Sequence, residues 1–142
     1  MNATATFAAN SQRTAVTTRD AAELGGRILL SSLFVISGVG KIGAYAATAG
    51  YMSALGVPAV LLPLVIALEL FGGLAIAFGW KTRTVAFLLG GFTMLAALVF
   101  HNNLADQMQQ IMFLKNVAIS GAFLMLVANG PGALSLDRRN GK

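Results

Sequence analysis

The feature that most constrains this chain is a set of four apolar runs, each about as long as a bilayer is thick. They lie at about Leu24 to Gly43, Ala59 to Trp80, Thr84 to Phe100 and Met108 to Ala128. A membrane-spanning helix needs about 20 mostly apolar residues. A soluble surface helix would carry a polar face at helical spacing, and these runs do not. In lipid every backbone N–H and C=O must be satisfied within the segment, so each run is expected to be helical. Composition agrees: 56% of residues are hydrophobic and 11% charged, where soluble domains carry about a quarter charged residues. The expected fold is all-α, a transmembrane four-helix bundle, with room for one domain in 142 residues.

The organisation follows from what flanks the runs. Residues 1–22 are rich in Ala and Thr and lack the apolar core of a secretory signal. They are expected to form a disordered cytoplasmic tail, although the composition also admits a transit peptide. Residues 23–130 form the expected membrane domain, and 131–142 a basic cytoplasmic tail. Arg27, one turn inside the first run, is expected to snorkel to the headgroups. Ala44 to Leu55 predicts a short helix at the membrane surface, with Tyr45 and Tyr51 at headgroup level. Gly56 and Pro58 then mark a stop and a start. Asn103 is a candidate cap for the last long helix, with Asp106 as its capping-box partner. Asn129-Gly130-Pro131-Gly132 ends that helix.

Charge gives orientation. Arg13, Arg19, Arg27, Lys81, Arg83, Arg138, Arg139 and Lys142 fall on the side of the termini, and only Lys41 and Lys115 on the other. The positive-inside rule then puts both termini in the cytoplasm. The net charge of +5 does not point to nucleic acid, because the basic residues form no patch with interleaved aromatics. The chain has no cysteine, which excludes disulfides, iron–sulfur ligation and a persulfide carrier on this chain.

The candidate site centres on Glu69, in the middle of the second run. Ionisable residues at that depth are costly, face a bundle interior and usually mark function. Gly72 and Gly73 share its face and suggest a helix contact there. Lys41, His101, Lys115 and Asn116 all fall toward the outer side, and an up-down-up-down bundle would let them meet Glu69 in a pocket open to the outside. Glu69 is expected to pair with Lys115 or Lys41, or to be protonated. Glu69 and His101 are the candidates for proton handling; Lys41, Lys115 and Asn116 are candidates for binding. The bland readings are a hydrogen-bonded strut for Glu69, interfacial anchors for the lysines, a helix–helix hydrogen bond for Asn116 and an interfacial polar residue for His101. One histidine without cysteine builds no familiar metal site, so no metal is expected.

The order and spacing of several small motifs carry a family likeness. They are Arg27-Ile28-Leu29, Ser37-Gly38 with Lys41, Gly56 and Pro58, Glu69 with Gly72-Gly73, Gly79 with Arg83, His101, Lys115-Asn116, and Gly130-Pro131-Gly132 with Ser135-Leu136-Asp137. On these the chain resembles the DoxX family of small bacterial membrane proteins, over about Leu24 to Arg139. The resemblance implies a four-helix bundle in the bacterial inner membrane. It also implies a link to redox systems: the family name comes from a subunit similar to one in archaeal thiosulfate:quinone oxidoreductase, and other members look like partners in redox-stress complexes. Two readings follow. One is an oxidoreductase-associated protein whose outer pocket binds a quinone headgroup or small sulfur compound, with a redox partner protein or a homo-oligomer. The other is a non-enzymatic anchor, assembly factor or small-solute carrier. An intact aromatic-lined pocket beside Glu69 would favour the first, and a filled bundle with Glu69 sealed between glycines the second.

Overall fold

A computed structural model describes residues 16–141; the tail expected over residues 1–22 lies, as far as residue 15, outside them. Thr17 opens the first helix, α1 (Thr18–Gly43). Its hydroxyl accepts from the Asp20 N–H at 3.2 Å, and the Asp20 carboxylate accepts from the Thr17 N–H at 2.9 Å. This reciprocal cap starts the helix ahead of the apolar run. A short helix α2 (Tyr45–Ala54) follows. Gly56, at φ 76°, ends it, and a single turn at Ala59–Leu61 leads into α3 (Leu62–Phe78). Pro63 sits in the first turn of α3, where its missing N–H costs little. Then come α4 (Thr82–Phe100), α5 (Gln107–Asn129) and a one-turn helix α6 (Leu136–Arg139). Among the described residues there is no strand, and four helices are long and apolar enough to cross a membrane.

The cap of α5 differs from expectation. The chain makes one further turn, with the Asp106 N–H donating to the Asn103 carbonyl at 3.2 Å. Asp106, not Asn103, therefore stands at the cap, accepting from the Gln109 N–H at 2.9 Å.

The bundle is two close helix pairs, α1 with α3 and α4 with α5. Small residues set both distances. A Cβ on Gly73 would lie 3.0 Å from Val35 Cγ2 and 3.2 Å from the Ser31 carbonyl of α1. A Cβ on Gly90 would lie 3.0 Å from Phe123 Cβ of α5, and the Ser120 hydroxyl donates to the Gly90 carbonyl at 3.1 Å. Phe34, Ile76, Ala86, Leu89 and Phe123 form the core between the pairs, with Phe34 and Phe123 edge-on at 5.3 Å. The outer faces carry Leu29, Ile36, Phe71 and Phe87, all exposed, as a lipid-facing surface requires.

The end that carries the termini is held by a polar lock. Arg27 does not snorkel: only 1% of it is exposed. Its guanidinium donates to the Ile76 carbonyl at 3.3 Å and to the Leu134 carbonyl. The segment after Asn129 folds back over the α3–α4 turn and supplies that second acceptor, so the arginine gains protein carbonyls in place of headgroups. The Asp137 carboxylate accepts from the Lys81 and Thr82 N–H groups at 2.7 and 2.8 Å, capping α4, while its own N–H donates to the Gly79 carbonyl at 2.9 Å. Gly79, at φ 68°, has Arg27 and Ser135 so close that no side chain fits.

Asp137→Ala strips two charge-assisted bonds from the N–H groups at the start of α4 and is expected to cost about 2 kcal/mol. Arg139→Ala, on the exposed side of the same turn, is expected to change stability by less than about 0.5 kcal/mol. Thermal unfolding in detergent, followed by retention on gel filtration, checks the contrast.

Candidate functional site

At the opposite end, which carries α2, a cavity of about 560 Å³ lies between the helices. Each element supplies one part. Phe34 comes from α1, and Phe92 and Phe100 from α4. Helix α2 covers the mouth with Thr48, Tyr51 and Met52. The Tyr51 ring stacks on Phe100, centroids 5.8 Å apart at 26°, and Met52 is buried against Leu62 and Ile66. Both tyrosines of this helix are exposed, and Tyr51 in addition lines the cavity.

The buried ionisable group of the cavity is Glu69 of α3, 4% exposed. Across from it on α1, Ser37 and Lys41 stand one turn apart and so share a face. Lys41 Nζ lies 2.9 Å from each Glu69 oxygen, with its hydrogen bond to Oε1. It also donates to the Ser37 hydroxyl at 2.6 Å, and that hydroxyl donates to Glu69 Oε1 at 3.2 Å. Oε2 is held by charge alone and has no hydrogen bond. Of the two pairings open to Glu69, the structure therefore makes the one with Lys41. Geometry explains the choice. A Cβ on Gly38 would be 3.4 Å from Glu69 Cβ, so α1 and α3 meet closely at this level and Lys41 reaches down from the next turn.

The other three candidates line the same cavity nearer its rim. His101 Nδ1 lies 2.8 Å from Gln109 Oε1. With that oxygen accepting, the ring proton is on Nδ1 and Nε2 is left as an acceptor in the neutral ring. Lys115 Nζ touches the Met112 sulfur at 3.2 Å, and among the described residues it has no carboxylate partner. Asn116 gives its backbone carbonyl to the Ser120 hydroxyl at 2.9 Å. Glu69, Lys41, His101, Lys115 and Asn116 thus border one space, although only Glu69 and Lys41 touch. Sequence reasoning missed Ser37 as a site residue. Its signal was its place one turn before Lys41. The aromatic lining was missed too, because Phe residues in an apolar run look the same whether they face lipid or a cavity.

Chemically, the cavity is an apolar, aromatic-walled space with an ion pair at its depth and polar groups at its rim. That is the usual constitution of a small-molecule site.

The sequence profile of the DoxX family matches residues 22–102, which include Ser37, Lys41, Glu69 and His101; Lys115 and Asn116 lie beyond. The chain is similar to inner membrane protein YqjF of Escherichia coli (strain K12), 54% identical over 119 residues, covering 84% of this chain and 92% of that protein. It is also similar to inner membrane protein YphA of the same organism, 38% identical over 120 residues, covering 80% and 86%. No solved structure matches the chain.

The ion pair gives a direct test. Lys41→Met leaves the Glu69 carboxylate buried without its cation and is expected to cost about 3 kcal/mol or more. Lys41→Met combined with Glu69→Gln removes both charges and is expected to unfold later than Lys41→Met alone. Denaturant unfolding of the unaltered protein and these two variants in one detergent checks the order.

Proposed function

The chain belongs to the DoxX family, and from that premise we propose that this multi-pass inner-membrane protein is the membrane component of a redox system, holding a quinone-class ring in the cavity around Glu69. The observation that carries the reading is the intact aromatic-lined cavity beside a buried, incompletely hydrogen-bonded carboxylate. A filled bundle would have carried the opposite reading. Phe34, Phe92 and the Tyr51–Phe100 stack offer faces to a ring. Lys41 donates to a ring oxygen, Glu69 holds or releases a proton beside it, and His101 Nε2 offers a second acceptor near the mouth. Lys115 favours a polar or anionic substituent at the rim. A quinone, when bound, supplies reversible two-electron, two-proton chemistry; the electrons come from a partner protein, since this chain carries no cysteine and only one histidine. With the termini in the cytoplasm by the charge asymmetry, the cavity faces the outer side of the membrane.

One observation favours the anchor reading instead. Glu69 is already paired to Lys41 across α1 and α3, as a strut would be. Native mass spectrometry of protein released gently from its own membrane separates the two. The expected result is a bound mass matching a quinone or quinol. Val65→Trp, which fills the cavity from α3, is expected to remove that mass and leave the protein folded. Protein carrying only phospholipid would reverse the proposal in favour of the anchor. Orientation is checked separately: a C-terminal green fluorescent protein fusion is expected to fluoresce, and a C-terminal alkaline phosphatase fusion to be inactive.

A further inference from the structure

We infer that a groove on the lipid-facing side of the bundle, between α1 and α5 at the end that carries the termini, binds one anionic phospholipid of that leaflet. The groove is separate from the cavity around Glu69, and the inference does not depend on what that cavity holds.

The two helix pairs meet through Phe34 and Phe123. On the terminal side of that contact α1 and α5 leave a groove of about 670 Å³. Its walls are Gly26, Leu29 and Leu30 of α1 with Ala122, Met125 and Leu126 of α5. Leu29 and Met125 are exposed, so the groove opens toward lipid. Its floor at Gly26 is empty, since a Cβ there would meet nothing within 4 Å. From Arg19 to Leu29 the helix axis rises about 15 Å, and half of a bilayer's hydrocarbon core is also about 15 Å. The groove is thus about one leaflet deep and apolar below its mouth, which fits an acyl chain.

The mouth is cationic. Arg19 and Glu23 stand there one turn apart on α1, joined at 2.8 Å, with Arg27 a turn deeper. Arg83 of α4 lies beside them: a Cβ on Gly130, which also lines the groove, would be 3.4 Å from Arg83 Nε. Three guanidiniums therefore border the mouth against the carboxylate of Glu23. Asp137 is turned instead to the Lys81 and Thr82 N–H groups. The outer arginines have donors to offer. Arg19 is exposed and gives only its Nε proton to Glu23. Arg83 is exposed and makes no salt bridge among the described residues.

Guanidinium forks suit phosphate oxygens, and basic pockets between membrane helices hold anionic headgroups. An amphiphile with an anion above an apolar chain satisfies both parts of the groove. A zwitterionic lipid fills the apolar part but brings its own ammonium group to the arginines. A second copy of the chain, packed here about a two-fold axis, would set these cations against themselves.

Native mass spectrometry of the full chain in lipid-free detergent tests this by titration with three probes. They are phosphatidylglycerol, phosphatidylcholine with the same acyl chains, and glycerol phosphate, which has the anion without the chains. The first phosphatidylglycerol is expected to bind about tenfold tighter than phosphatidylcholine and more than about tenfold tighter than glycerol phosphate. Gly26→Leu fills the groove and is expected to weaken phosphatidylglycerol about fivefold or more. Arg19→Gln with Arg83→Gln is expected to bring the preference over phosphatidylcholine below about threefold. Arg138→Gln with Arg139→Gln, exposed cations outside the groove, is expected to keep it. Gel filtration checks that each variant is folded. Phosphatidylcholine within about threefold of phosphatidylglycerol in the unaltered protein would overturn the inference, as would glycerol phosphate binding equally well. So would undiminished binding in folded Gly26→Leu, or an equal loss of preference in the two arginine pairs, because the site would then lie elsewhere or be general surface charge.

Discussion

A carboxylate inside a bilayer must either meet a cation or give up its charge, and Glu69 meets Lys41. Much of the bundle answers to that pairing. Lys41 reaches Glu69 only when α1 and α3 stand close, and Gly38 and Gly73 provide the approach on either side of it. It also reaches Glu69 only in one register, where Ser37 and Lys41 face the carboxylate from successive turns. In water such a pair would contribute little. In hydrocarbon a slip of one residue would strand two charges, so the pair specifies an arrangement more than it adds stability.

Because small residues hold α1 to α3 and α4 to α5, the space between the pairs has to be filled by other means. Near the termini it is filled twice over, by the Phe34–Phe123 contact and by the Arg27 and Asp137 lock. Toward α2 it is not filled, and the cavity is what remains. The division has a physical logic. The end that must be rigid is tied by backbone groups with nowhere else to go, while the end that holds a ligand is roofed by a ten-residue helix with only Met52 buried.

The spans were legible in the sequence because length and hydropathy alone decide what crosses a bilayer. Glu69 was legible for the same reason in reverse, as the residue that violates the rule. The partner of Glu69 was not: Lys41 and Lys115 stand at similar depths, and depth is all that a hydropathy reading sees. Arg27 was misread on the same ground. Its position near a helix start fits snorkelling, but the carbonyl that captures it belongs to Leu134, 107 residues away. Asp137 looked like one charge in a basic tail, and only the folded chain shows it over the N-terminus of α4. What escaped the sequence was consistently the polar contact between distant segments, where local pattern carries no information.

That distance has a consequence for biogenesis. Arg27 lies in the first span to leave the ribosome, and its acceptor at Leu134 follows the fourth. While the intervening helices insert, the guanidinium has no carbonyl from the C-terminal segment. Its role as a structural bolt therefore begins only once the whole bundle has been synthesised. The segment that closes the bolt also caps α4, so the finished terminus acts as the latch of an assembly otherwise already threaded through the membrane.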